Sequence, residues 1–394
     1  MRWVILALIV LAQTVANIGP LGVPAIASLI RADLGLTLTQ AGSFLSAYYI
    51  GPVSMSLFAG ILADRWGTAR MLVLGQALIA VGLLAASTAP TYGAFIALMI
   101  VAGVGYGALN PASTTAAMSW FPLRQRATVV GLKQVGLPFG GMLGAALLPA
   151  LALAFGWRRA LAASALAIAA CATMCAIVYR DPPAEVAARR AAGGRRALRA
   201  VLLARDLWLV ALATGVFAAM QTVWMAFLVL YLQGVVGLSL LAASRYLALA
   251  QGGGALGRVA FGMLSDRVFG GGRRAPLAIA GCTSALCSVA IAFTGPGTPG
   301  PWLAALALLF GFAGIGWNGV QHTLMAELAG PGGATTAVGL GLAVSSAGVM
   351  LGPPVFGGLV QSAGGYRIPW LALAGSMAVG LIVLALVRER RPLL

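Results

Sequence analysis

A chain of 394 residues that is 61% hydrophobic and only 8% charged cannot fold as a water-soluble domain, because it has too little polar surface to wet its exterior. Its formal net charge of +17 would suit a nucleic-acid partner, but the arginines lie between apolar runs and no groove-reading motif accompanies them. With a mean hydropathy of +0.97, the composition points to an all-α polytopic membrane protein.

Apolar runs of roughly 20 residues, the length at which a helix crosses a bilayer, recur about twelve times. The predicted spans are 3–30, 40–62, 71–89, 92–118, 127–153, 157–179, 207–233, 240–263, 275–294, 301–326, 336–361 and 366–387. The first is overlong for a signal peptide and has no small-residue cleavage site before Asn17 and Pro20, so it reads as a span. It carries Gln13 and Asn17 one turn apart. Tyr48 and Tyr49 lie in the second span, Tyr106 and Asn110 in the fourth. The fifth holds Lys133, the only lysine, beside Gln134 and about 10 Å inward from Arg126 at the rise of an α-helix.

The longest polar connection runs from Arg180 to Asp206, opening with Asp181-Pro182-Pro183 and continuing Arg-rich. It predicts an N-terminal six-helix bundle over 1–180, a cytoplasmic linker over 181–206 and a C-terminal six-helix bundle over 207–394. Beyond it, Gln221 and Trp224 lie in the seventh span. Arg258 lies in the eighth, about 12 Å inward from Asp266. Trp317, Asn318, Gln321 and His322 follow in the tenth, and the spacing puts Asn318, Gln321 and His322 on one face, with Glu327 near the end. The four cysteines, Cys171, Cys175, Cys282 and Cys287, all fall inside spans, where a thiol acts as a small hydrophobe, and they indicate no metal. No nucleophile–base pair or phosphate loop is present, so neither an enzyme nor a cofactor is expected.

The outer connections carry only Arg31, Arg158, Arg159, Arg245 and Arg367, and the other arginines outside the spans fall on the opposite side. That asymmetry predicts both termini in the cytoplasm of a bacterial-type inner membrane, with anionic lipid as a partner of the basic face.

The halves repeat. Gly60-Ile61-Leu62-Ala63-Asp64-Arg65-Trp66-Gly67 returns as Gly262-Met263-Leu264-Ser265-Asp266-Arg267, Ala102-Gly103-Val104-Gly105-Tyr106 as Ala313-Gly314-Ile315-Gly316-Trp317, and Gly156-Trp157-Arg158 as Gly365-Tyr366-Arg367. Internal repeats mark transporter folds that hold substrate where the repeats meet. The stretch Gly60-x-x-x-Asp64-Arg65-x-Gly67-x-x-Arg70, with its second copy, resembles the loop signature of the major facilitator superfamily, and the Gly-Pro-rich fifth and eleventh spans agree with it. The second copy departs from the pattern, because Gly270-Gly271-Gly272 lengthens it before Arg273 and Arg274. The resemblance implies alternating access between two pseudo-symmetric bundles, with Asp64, Arg65, Arg70, Asp266 and Arg267 as a latch that holds the cytoplasmic side shut. A carboxylate at a helix N-terminus, paired with an Arg fork, suits that task.

A guanidinium buried in hydrocarbon is costly, so Arg258 is expected to serve function. Its place eight residues before Asp266 is similar to that of the eighth-helix arginine of monocarboxylate transporters and the oxalate/formate antiporter, which binds substrate carboxylate. Nitrate/nitrite porters pair such an arginine with one in the second span, where this chain has Ser56. The antiporter's second cation is on the eleventh span, whereas here Lys133 occupies the repeat mate, the fifth. The expected substrate is a small organic anion, a mono- or dicarboxylate, bound by Arg258 and Lys133. Gln134, Asn17, Gln13, Tyr106, Asn110, Asn318, Gln321, His322, Trp317 and Tyr48 are expected to line the rest of the site. His322 and Glu327 are the candidates for coupling to a proton, and an exchanged anion is the other coupling partner consistent with the sequence. The chain is expected to act as a monomer. The competing readings are an inorganic anion porter for cyanate or nitrite/nitrate, multidrug efflux, and a transport-like membrane sensor.

Overall fold

A computed structural model describes residues 2–122, 125–180, 200–330 and 333–389, without the side chains of 56–65, 126–128 and 334–335. Most of the predicted linker lies outside the described residues. Twelve long helical segments follow one another among those described. They are α1 (Arg2–Leu34), α2 (Phe44–Trp66), α3 (Thr68–Ala86), α4 (Tyr92–Ser119), α5 (Arg126–Phe155), α6 (Trp157–Val178), α7 (Arg205–Gly234), α8 (Leu240–Met263), α9 (Arg274–Ile291), α10 (Gly300–Ala329), α11 (Ala334–Ser362) and α12 (Arg367–Ala385). Ten of them are long and apolar enough to cross a membrane. α8 is not among the ten, since it carries Arg245, Gln251 and Arg258.

Local chemistry explains the departures from the predicted spans. α1 tightens to a 3₁₀ turn over Val23–Ile26, where Pro24 lacks the N–H that an α-turn needs. The predicted second span is split: a short helix, Leu38–Gly42, begins at a capping box in which Thr37 and Gln40 satisfy each other's backbone amides, and α2 starts after Ser43. α10 widens to a π-turn over Gly311–Ile315. Gly67 (φ 82°, ψ 157°) and Gly156 (φ 85°, ψ 151°) begin α3 and α6 in a backbone region that only glycine enters readily, which is why both motifs carry glycine there.

The chain forms two compact units. The first comprises residues 1–189 with 226–233 and 238–248; the second comprises 190–225, 234–237 and 249–394. In the first, Gly136, Gly140 and Gly144 of α5 form a ladder against α1. A methyl group at Gly140 would run into the Thr14 carbonyl, and one at Gly144 into the Ile18 carbonyl. Without a hydrophobic drive inside lipid, such small-residue seams let helices pack backbone to backbone. At the α1–α2 and α5–α6 end of this unit, the Asp33 carboxylate accepts from Trp157 Nε1 (3.1 Å) and Arg158 Nη2 (2.9 Å). Arg158 Nη1 also donates to the Ala89 carbonyl (2.9 Å), so one arginine ties α1 and α6 to the turn that follows α3.

The second unit repeats the seam on α11, where Gly348 meets the Gly215 carbonyl and Gly352 meets Ala219 of α7. It repeats the arginine as well, since the guanidinium of Arg367 lies 4.5 Å from the centre of the Phe293 ring. α8 presses on α10 through Gly253 and Gly257, whose missing side chains make room for Leu308 and Phe312. Trp224 stacks on Phe310 at 3.9 Å and donates to the Ser288 hydroxyl at 2.8 Å.

The seam makes a direct prediction. Gly140→Ala should destabilise the protein by about 1–3 kcal/mol, the usual cost of overpacking. Gly131→Ala, at a position with open space around it, should not. Thermal unfolding of the purified variants in detergent would show equal midpoints if the seam were loose.

Candidate functional site

The first unit gathers five of the expected residues into one hydrogen-bonded network. Gln13 Nε2 donates to the Tyr106 hydroxyl (3.2 Å), and Asn17 Nδ2 donates to the Gln13 carbonyl (2.6 Å). Ser113 Oγ donates to Gln13 Oε1 (3.4 Å) and to the Asn110 carbonyl (2.9 Å). Lys133 completes it. Its Nζ donates to the Asn110 carbonyl (3.2 Å), to Asn110 Oδ1 and to the Thr114 hydroxyl (3.1 Å). Lys133, Gln13 and Asn17 are each 0% exposed, so an ammonium stands deep inside an apolar bundle. Tyr48 is buried with its ring 5.6 Å from that of Tyr106, and its hydroxyl has no hydrogen-bond partner. Asn17 Oδ1 is likewise buried and unsatisfied. Gln134 is half-buried beside Lys133. Ser113 and Thr114 were not anticipated from sequence; their signal was a position three or four residues after Asn110, one helical turn away.

In the second unit, Gln221 Oε1 accepts from Trp317 Nε1 (3.2 Å) and Asn318 Nδ2 (3.3 Å). Trp317 is buried, and Gln321 is buried with Nε2 unsatisfied. His322 and Arg258 are half-buried. Glu327 lies apart from this group, at the end of α10.

There the loop motif forms a second ionic cluster. Arg273 donates to Asp266 Oδ1 (2.5 Å), Glu327 Oε1 (3.0 Å) and Ser265 Oγ (2.7 Å). Burial opposes the charge on Arg273, yet its hydrogen bonds to Glu327 and Asp266 raise its pKa above the usual arginine value. The Glu389 carboxylate accepts from the backbone N–H groups of Arg273 (2.5 Å) and Arg274 (3.3 Å), satisfying the first donors of α9. Arg267, the latch residue that follows Asp266, is exposed. Of the first copy, Arg70 is exposed on the first turn of α3, while Asp64 and Arg65 end α2 with side chains outside the described set.

Both units thus carry a charged turn between paired helices, a glycine seam and a pinned arginine, in the same order. Residues 5–346 match the family model described as Major Facilitator Superfamily. The chain belongs to this superfamily. It is similar to the probable sulfoacetate transporter SauU of Cupriavidus necator, 26% identical over 96% of this chain and 92% of that one. It is also similar to the hexuronate transporter of Bacillus subtilis, 33% identical over 34% of this chain and 31% of that one. Among solved structures, a bacterial homolog of the human lysosomal transporter Spinster shares the fold, with a TM-score of 0.79 at 18% identity over 98% of this chain and 96% of the other. This is therefore an integral membrane transporter of the major facilitator type and not an enzyme.

In this major facilitator protein the arginine that engages Asp266 is Arg273, and the pair can be weighed directly. A double-mutant cycle of Arg273→Ala and Asp266→Ala, read by thermal unfolding, should show a coupling on the order of 1 kcal/mol. Arg267→Ala should leave the unfolding midpoint in place. The reverse ranking would move the clamp back to Arg267.

Proposed function

We propose that this transporter carries a small organic anion, a mono- or dicarboxylate, by alternating access between its six-helix bundles, 1–180 and 207–394 about the 181–206 linker. The membrane is the bacterial cytoplasmic one, with both termini inside, as the arginine distribution indicates. The observation that carries the reading is Lys133, a fully buried ammonium set among the oxygens of Asn110 and Thr114. A buried cation is retained in an apolar bundle where it meets negative charge in function. Among the described residues, Asp33, Asp206, Asp266, Glu327 and Glu389 stand at helix ends or in connections, held there by arginines or backbone N–H groups.

Arg258 supplies the second cation, with a planar fork that matches a carboxylate. The names of the two relatives, a sulfoacetate transporter and a hexuronate transporter, both denote organic anions, which supports the same substrate class. The candidates for proton coupling are His322 and Glu327, the latter engaged by Arg273. The latch is assigned to Asp64 with Arg65 and Arg70, and to Asp266 with Arg273. Transport by a monomer, against a proton or an exchanged anion, completes the proposal.

A thermal-shift panel on the purified protein tests it. Carboxylates should raise the unfolding midpoint in proportion to ligand over dissociation constant. Arg258→Ala and Lys133→Ala should each weaken binding by at least about tenfold, or about 1.4 kcal/mol. Stabilisation by organic cations with none by anions would refute the reading.

A further inference from the structure

α8 has three faces. Gly253 and Gly257 lie against Leu308 and Phe312 of α10. Leu249, Leu256 and Val259 form the most exposed side, at 41%, 64% and 52%. Gln251 and Arg258 occupy neither. Seven residues apart, they are 20° short of two full turns, so they share a stripe with their backbones about 10 Å apart.

Gln251 is 1% exposed, and neither its Oε1 nor its Nε2 has a hydrogen-bond partner. The amide of Gln221 shows the contrast, since its oxygen accepts from both Trp317 and Asn318. Burying a whole carboxamide without partners is expensive, and the cost is recovered when a ligand supplies them. A carboxamide presents both a donor and an acceptor, so it can bind a hydroxyl, a carboxylate or a sulfonate, but it gains nothing from an aliphatic end.

We propose that Gln251 is a second recognition group on α8, which reads the end of the substrate farther from Arg258. The substrate class is then a short difunctional anion, with one carboxylate for Arg258 and one hydrogen-bonding group at its other end for Gln251. A site built to hydrogen-bond a group discriminates strongly against analogues that lack it. This inference rests on the organic-anion reading above.

Titration calorimetry on the full-length protein with butyrate, 4-hydroxybutyrate and succinate provides the test. The wild type should bind the two difunctional acids at least about tenfold more tightly than butyrate. Gln251→Met, close in volume and apolar, should bring all three within about threefold by weakening only the difunctional acids. If Gln251→Met does not fold, Gln251→Glu should shift preference from dianionic succinate toward 4-hydroxybutyrate. Unchanged ratios in the variant, or a wild type indifferent to the distal group, would overturn the role of Gln251 while leaving the organic-anion reading standing. A wild type that binds none of the three would end both.

Discussion

A single positive charge buried among apolar helices sets the terms for the first half of this molecule. Lys133 can remain at that depth only if oxygen atoms surround it, and an α-helix normally spends its carbonyls on itself. α4 resolves this by bringing both the carbonyl and the side-chain oxygen of Asn110 to the ammonium, with the Thr114 hydroxyl one turn on. The same carbonyl accepts from Ser113, which binds Gln13, which binds Tyr106, so holding the cation also orders the polar faces of α1 and α4. Partly satisfied networks of this kind are costly in a low-dielectric interior, and the unsatisfied oxygens of Asn17 and Tyr48 mark where this one is open to further partners.

The glycine seam makes that arrangement possible. Gly136 and Gly140 let α5 approach Gln13, Thr14 and Asn17 at backbone distance, which brings Lys133 within reach of α4. The second unit uses the same seam between α7 and α11 with no charge on α11, and places its cation on α8 instead. The two halves therefore share what packs helices and differ in which helix carries the cation. This division fits a repeat fold whose scaffold is fixed while its recognition groups vary.

Much of this was legible in the sequence, because hydrophobic length and repeated motifs are properties of the chain itself. The spans emerged to within a few residues, and the breaks in α1 and α2 came from local turn chemistry that a hydropathy pattern does not register. Gln13, Asn17, Tyr106, Asn110 and Lys133 were each identifiable as rare polar groups in apolar helices, but their pairing was not, since it depends on the rotation of helices about their axes. The loop was harder. The motif names Asp266 and Arg267, whereas the ion pair to Asp266 comes from Arg273, beyond the lengthened turn. The useful signal was the Gly67-x-x-Arg70 spacing, which Gly270-x-x-Arg273 keeps across the lengthened turn. Gln251 escaped notice because a glutamine in a membrane helix usually pairs with its neighbours, and only the structure shows that this one does not.

The most direct measurement is counterflow of a radiolabelled organic anion into proteoliposomes that contain this protein alone. Vesicles preloaded with unlabelled carboxylate should transiently accumulate the labelled carboxylate, and vesicles bearing the Lys133→Ala protein should accumulate little. Accumulation of an organic cation or a neutral sugar, with no movement of any carboxylate, would contradict the assignment of a positively charged binding site.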